Sequence, residues 1–139
     1  MAVGGGWVWD ESFTANADLN AYQYHAVTTG SVAREVKVGT GGSSPIPLGI
    51  LQNDPNVGSE AVVRLMGKTK AWVSACTGTD VNAGDFLTCG SLGHMELIEG
   101  STAWAIALEP MTAATGCGVI EVLWFGVGFF TEANDNTPA

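Results

Sequence analysis

The groups in this 139-residue chain that could do chemistry are two histidines, three cysteines and fourteen carboxylates. Their spacing assembles no reaction centre. His25 ends Tyr22-Gln23-Tyr24-His25 at the start of a strand-like run, a place for a half-buried ring. His94 follows the turn glycine Gly93 and is expected at the surface. No Gly-x-Ser-x-Gly elbow presents a serine to a base. Gly39-Thr40-Gly41-Gly42-Ser43-Ser44 has the glycines of a phosphate loop, but no lysine follows them and both flanks read as strand. Asp80-x-Asn82-x-Gly84-Asp85 begins like a calcium loop, but Ser91 stands where the twelfth position needs a bidentate glutamate, so a turn is expected. Glu96 and Glu99 lie on a strand and its following turn, and nothing selects them as an acid/base pair. Cys76, Cys89 and Cys117 are odd in number, form no Cys-x-x-Cys and stand at no zinc-ligand spacing from either histidine. Reduced, mostly buried thiols of a cytosolic product are expected. No catalytic residue, metal ligand or cofactor is assigned, and the chain does not read as an enzyme.

Composition points to contact instead. Only 14% of residues are charged while 46% are hydrophobic, against a usual charged share of about 25%. A folded chain so poor in charge is a candidate for an assembly whose surface is partly covered. The net charge of −9 argues against a nucleic-acid partner, which needs a basic footprint, and against an anionic membrane surface. The longest apolar run, Val119 to Phe130, is interrupted by Glu121 and too short to span a bilayer as a helix.

The elements that would build such a surface are strands. Short runs of alternating residues stand at Pro47–Gln52, Ala61–Met66, Thr69–Ala75, Phe86–Cys89, His94–Ile98, Ala103–Leu108 and Val119–Phe125, with a further one within Thr28–Lys37. Asp18 is a candidate cap for one short helical turn before a strand near Tyr24. Between the strands lie turn residues, including Asn53-Asp54-Pro55, Ala83-Gly84-Asp85, Gly90-Ser91-Leu92-Gly93 and Glu99-Gly100-Ser101. No stretch keeps helical apolar spacing. The expected class is all-β: a small β-barrel or β-tulip-like domain over 17–126, with a flexible N-terminal arm at 1–16 and a tail at 127–139. One pattern occurs twice. Leu48–Gln52 followed by Ala61–Gly67 resembles Ala105–Glu109 followed by Val119–Gly126, strand then strand with one charge in the second. Two such hairpins would close the two sides of a small barrel.

The arm carries Trp7, Val8, Trp9 and Phe13. Large indoles on a short glycine-rich segment are costly to leave in water. They either fold back on the domain's own core or dock on another chain, where tryptophan is enriched. Phe129 and Phe130 in the tail are candidates for a further contact.

Asp18-Leu19-Asn20-Ala21-Tyr22-Gln23-Tyr24-His25-Ala26-Val27, Pro47–Pro55 (with Gly49-Ile50-Leu51-Gln52-Asn53), Gly58–Arg64, Val81–Thr88 (with Ala83-Gly84-Asp85), Ala105–Glu109 and Gly118–Leu123 come in an order and spacing that resemble the capsid cement, or head decoration, proteins of tailed bacteriophages, over residues 17–126. The resemblance implies a non-enzymatic virion protein, made in the host cytoplasm and seated as a homotrimer on the outer surface of the expanded head. There it would clamp neighbouring major capsid subunits, and its N-terminal arm would become ordered on the shell. The Trp7/Trp9 pair and the 126–139 segment depart from the family pattern. Two other readings remain. A head fibre or spike base would need long extra domains, for which the chain has no room. A carbohydrate- or ligand-binding module would use Trp72, Trp104 and Trp124 as stacking platforms, unless these three are core.

Overall fold

A computed structural model describes residues 7–40, 46–75, 78–98 and 102–130, the side chains of 127–130 excepted. Nine strands run in order: β1 (Trp9–Ala15), β2 (Ala26–Thr29), β3 (Glu35–Val38), β4 (Pro47–Leu51), β5 (Glu60–Ser74), β6 (Phe86–Cys89), β7 (Met95–Leu97), β8 (Thr102–Ala107) and β9 (Cys117–Phe130). The described residues contain no α-helix, only a 3-10 turn at Ser91–Gly93. The all-β expectation and the small barrel both hold. Asp18 caps no helix; its carboxylate accepts the Asn20 backbone N–H at 3.2 Å in a loop.

Strand pairing runs full circle twice, and β5 belongs to both circles. The N-terminal barrel is β1-β3-β2-β4-β5, closed by β5 against β1. The C-terminal barrel is β5-β7-β6-β8-β9, closed by β9 against β5. β5 can serve both because its odd positions face inward throughout. Ala61 and Val63 enter the first interior, Ala71 and Val73 the second. The change of barrel falls at Gly67, whose φ of +115° suits glycine. A side chain there would meet the Trp7 carbonyl oxygen at 2.5 Å, so the N-terminal chain crosses directly over this bend.

The two barrels are built on one plan. With the second half of β5 taken as a first strand, β1 to β5 correspond in order to β5 to β9. In each barrel the first and third strands pair parallel. Second with third, second with fourth, fourth with fifth and fifth with first all pair antiparallel. Turn hydrogen bonds repeat as well. The His25 N–H donates to the Tyr22 carbonyl as Asp85 does to Asn82, Leu51 donates to His25 as Ala107 does to Asp85, and Ala15 donates to Ser59 as Ala75 does to Gly116. The two similar hairpins of the sequence are β4–β5 and β8–β9, one per barrel. They close two barrels rather than the two sides of one.

Three expectations change. Residues 9–15 of the expected arm are strand β1, paired with β5 from Trp9 to Thr14 and with β3 at Thr14 and Ala15. Their polar residues Asp10, Ser12 and Thr14 face outward, which is why the segment reads as an arm. Residues 127–130 of the expected tail likewise belong to a strand, β9, while residues 1–6 and 131–139 lie outside the described residues. The run Thr28–Lys37 is two strands around a turn, with Arg34 at φ +65° and Val32 exposed between them. The runs Ala61–Met66 and Thr69–Ala75 are one strand, because Gly67 bends β5 without ending it.

Each barrel has its own core. Leu19, Val27, Val36, Leu51 and Val63 fill the first, and Leu87, Met95, Trp104, Val122 and Trp124 dominate the second. Ala26 and Ile50 cross this division. They sit on β2 and β4 of the first barrel but pack into the second barrel's core. This is the seam. It is tight: a side chain on Gly93 (φ +73°) would collide with the Ala26 carbonyl oxygen, and one on Gly39 would meet the Cys89 Sγ at 3.3 Å.

Candidate interaction surface

The described residues gather no reaction centre. No three of their His, Cys, Asp or Glu side chains come close enough to hold a metal ion. The two histidines do meet, at the seam. His25 is buried and lies 5.5 Å from Trp72 in a near-parallel stack, with the His94 ring 5.2 Å away and Tyr22 edge-on at 5.2 Å. Burial pushes both imidazoles below their ordinary value; for His94 the Glu96 carboxylate opposes the effect. The His25 Nδ1 lies 3.2 Å from the Gln23 carbonyl oxygen. This cluster joins the barrels. His94 is half-buried rather than at the surface, because the Ser91–Gly93 turn presses onto β2. The remaining motif candidates are structural. Asp85 accepts the Asn82 N–H at 2.8 Å within the turn, and Asp80 accepts the N–H of Ala113 from a distant loop at 2.7 Å. Cys89 is buried, with its Sγ 3.6 Å from the Gly90 carbonyl oxygen, and Cys117 is half-buried, with its Sγ 3.6 Å from the Ser74 Oγ. Glu99, Cys76 and residues 41–45 lie outside the described residues.

Among the described residues, two apolar surfaces are left open. The first is the N-terminal edge, where Trp7, Val8 and Trp9 are all exposed, Trp7 at 95%. Trp9 pairs across to the exposed Met66 on β5. Neither indole folds back into a core. The edge is stiffened from behind by polar contacts. The Trp9 indole N–H donates to Glu11 at 3.1 Å, and Arg64 forks onto Asp10 at 2.7 and 2.9 Å. Arg64 holds the Asp10 carboxyl below its ordinary value. The Trp9 N–H first, then Arg34, do the same for the exposed Glu11. Phe13, expected as a contact residue, instead packs half-buried against the first core, with the Arg34 guanidinium 4.5 Å over its ring. The side chains of Phe129 and Phe130 lie outside the described residues, although their backbones pair with Ala103 and Thr102 in β9–β8.

The second surface was not singled out from the sequence. It is the outer face of the C-terminal barrel, where Phe86, Ile106 and Leu123 form one row across β6, β8 and β9. Phe86 and Leu123 are exposed, and Phe125 adds an edge contact 6.4 Å from Phe86. Lys68 bridges Glu121 at 3.5 Å along this face. Next to it lies an open depression of about 430 Å³ lined by Lys70, Glu109, Val119, Ile120 and Glu121. The sequence carried a signal. In β9 the inward set Ile120, Val122 and Trp124 is apolar, and the outward set is apolar too at Val119, Leu123 and Phe125, with Glu121 its one charge, close to the pattern of a strand covered on both faces.

The three tryptophans of the ligand-binding reading are engaged inside the molecule. Trp104 and Trp124 stack on each other at 6.0 Å in the second core, and Trp72 stacks on His25.

Comparison with known proteins supports the fold. The chain is similar to a solved structure described as the crystal structure of head fiber gp8.5 N base in bacteriophage phi29. The TM-score is 0.57 at 14% identity, over 88% of this chain and 98% of that one. At that identity the likeness establishes shared architecture. No protein-family profile matches the chain, and no curated protein matches its sequence.

Proposed function

We propose that this chain is a structural protein of a tailed-phage head, a homotrimer seated on the outside of the expanded shell and bound to the major capsid protein without catalysing a reaction. One observation carries the reading: the fold matches a head fibre base over nearly the whole length of both chains. The order of sequence motifs over 17–126 points to the same setting from an independent direction. That neighbour is described as a base, and a domain of this length spans 98% of it, so a base fits within the chain. Cement protein and fibre base share a physical task, which is to hold on to a shell by many weak contacts. Apolar surface removed from water contributes about 25 cal/mol per Å² before ordering costs. Repetition over the shell converts modest single contacts into firm attachment. The open indoles of Trp7 and Trp9 suit such contacts.

Co-sedimentation with purified phage heads tests the reading. The full chain is expected to pellet saturably with expanded empty heads, and Trp7→Ala with Trp9→Ala to weaken pelleting at least tenfold while the free protein melts unchanged. Absence of pelleting with expanded heads would overturn the proposal.

A further inference from the structure

We infer that the outer face of the C-terminal barrel is a docking site for the N-terminal barrel of a second copy of this chain, which repeats between molecules the seam seen within one. The argument rests on the duplicated plan. In the N-terminal barrel a row of residues crosses the second, fourth and fifth strands: Ala26, Ile50 and Arg64. Its counterpart in the C-terminal barrel is the row Phe86, Ile106 and Leu123. Two of the three residues of the first row are covered, while Arg64 turns to Asp10 on β1. Ala26 and Ile50 are both 0% exposed, and what covers them is the other barrel. The second row occupies the same position and is uncovered, with Phe86 at 42% and Leu123 at 39% exposure. It is more apolar than the covered row, with Phe86 in the place of Ala26 and Leu123 in the place of Arg64. A face built this way fits the partner its counterpart already has, another barrel of the same plan.

The covering side has a free counterpart as well. In the seam, the second half of β5 covers through Trp72, which stacks on His25, and the Ser91–Gly93 turn presses on Ala26. The equivalent elements of the N-terminal barrel are β1 and the turn Ser31–Arg34. Nothing among the described residues covers them. Val32, on that turn, is 62% exposed, and Ser31 and Ala33 beside it are exposed as well. One molecule therefore carries an open receiving face at its C-terminal barrel and an open covering face at its N-terminal barrel. Two different faces make a head-to-tail contact, which closes into a ring or continues as a chain. Ring closure after three copies would give the homotrimer proposed above. The contact itself requires no phage head, so its assay succeeds or fails independently of head attachment.

The test uses two variants of the full chain, each with one face broken: Phe86→Lys with Leu123→Lys, and Val32→Lys with Ala33→Lys. All four positions are exposed, and unchanged far-ultraviolet circular dichroism confirms folding. Light scattering after size exclusion is expected to give wild type a mass of several copies and each variant alone the monomer mass of 14.4 kDa. Mixed one to one, the variants retain one good face each and are expected to pair into a species of twice that mass that grows no further. A monomeric wild type, a receiving-face variant that assembles like wild type, or a mixture that stays monomeric would overturn the inference. Should the lysine variants misfold, Phe86→Ser and Val32→Ser give the same readout through an at least tenfold weaker self-association.

Discussion

The two barrels share a strand order and differ in what fills and fastens them. The N-terminal barrel has a modest interior of Ala, Val and Leu, with Leu19 and Leu51 its largest fully buried residues. Much of its closure is polar and lies outside. Asp10 with Arg64, Arg34 with Glu11 and the Ser12 backbone, and Ser12 with Glu60 at 2.6 Å bind β1 to its neighbours. The C-terminal barrel has stacked indoles, Met95 and Met111 inside, and its β5–β9 edge carries the one bridge Lys68–Glu121 among the described ion pairs. One plan thus combines a modest core with polar fastening on its surface in one case and relies on large buried volume in the other. Strand order, set by backbone pairing and turns, does not require either chemistry. The second barrel's outward apolar row then has no role in closing its own sheet, which is what frees it for a partner.

The sharpest test of this contrast is truncation in each core. Trp124→Ala removes a fully buried indole and is expected to cost about 3–5 kcal/mol, more than Leu19→Ala, at about 2–4 kcal/mol, in the smaller interior. Because β5 serves both barrels, calorimetry of either variant should still show one transition. Two separate transitions would break the picture of coupled barrels. A smaller effect is expected at the seam. The folded state favours neutral His25 and His94, so the unfolded chain binds more protons as pH falls through the ordinary histidine value of 6.5. Stability is full above that pH and declines below it. The melting temperature should stay level from pH 8 to 7 and drop by several degrees towards pH 5, with a parallel change in Trp72 emission. His25→Gln should flatten the drop, and an equally steep profile in that variant would refute the assignment to the seam. The smallest effect belongs to the polar fastening. Asp10→Asn is expected to cost about 1 kcal/mol or less, since both partners are partly exposed. The loss should shrink in high salt; as pH falls it should begin to fade near the ordinary aspartate value of 3.8 and vanish below the lowered value that Arg64 gives the folded Asp10, where wild type loses the same charge.

Much of this architecture was legible in the residues. Alternation placed β4 and β6 to β9 within a few positions, and the turn glycines and asparagines marked their connections. What escaped was set by distance or by ambiguity. Strand β1 reads as an arm because only Phe13 and Ala15 mark its inner side and glycines precede it. Gly67 followed by Lys68 has the look of a turn, and only the opposite strands β1 and β9 show that β5 runs through it. The resemblance between the β4–β5 and β8–β9 hairpins hinted at duplication, but the matching first three strands of each barrel share pairing rather than letters. The open contact surfaces divide in the same way. Trp7 and Trp9 stand out by residue type, whereas Phe86, Ile106 and Leu123 lie far apart in sequence and become one surface only through the sheet. The meeting of His25 with His94 has the same origin.

The strand common to both barrels has a consequence for how such a molecule can be altered. No cut of the backbone releases either half whole, because each would take away a wall of the other. Growth is easier than division. A further block that borrows the far end of β9 as its opening strand would extend the molecule by one more compartment and leave both existing ones intact.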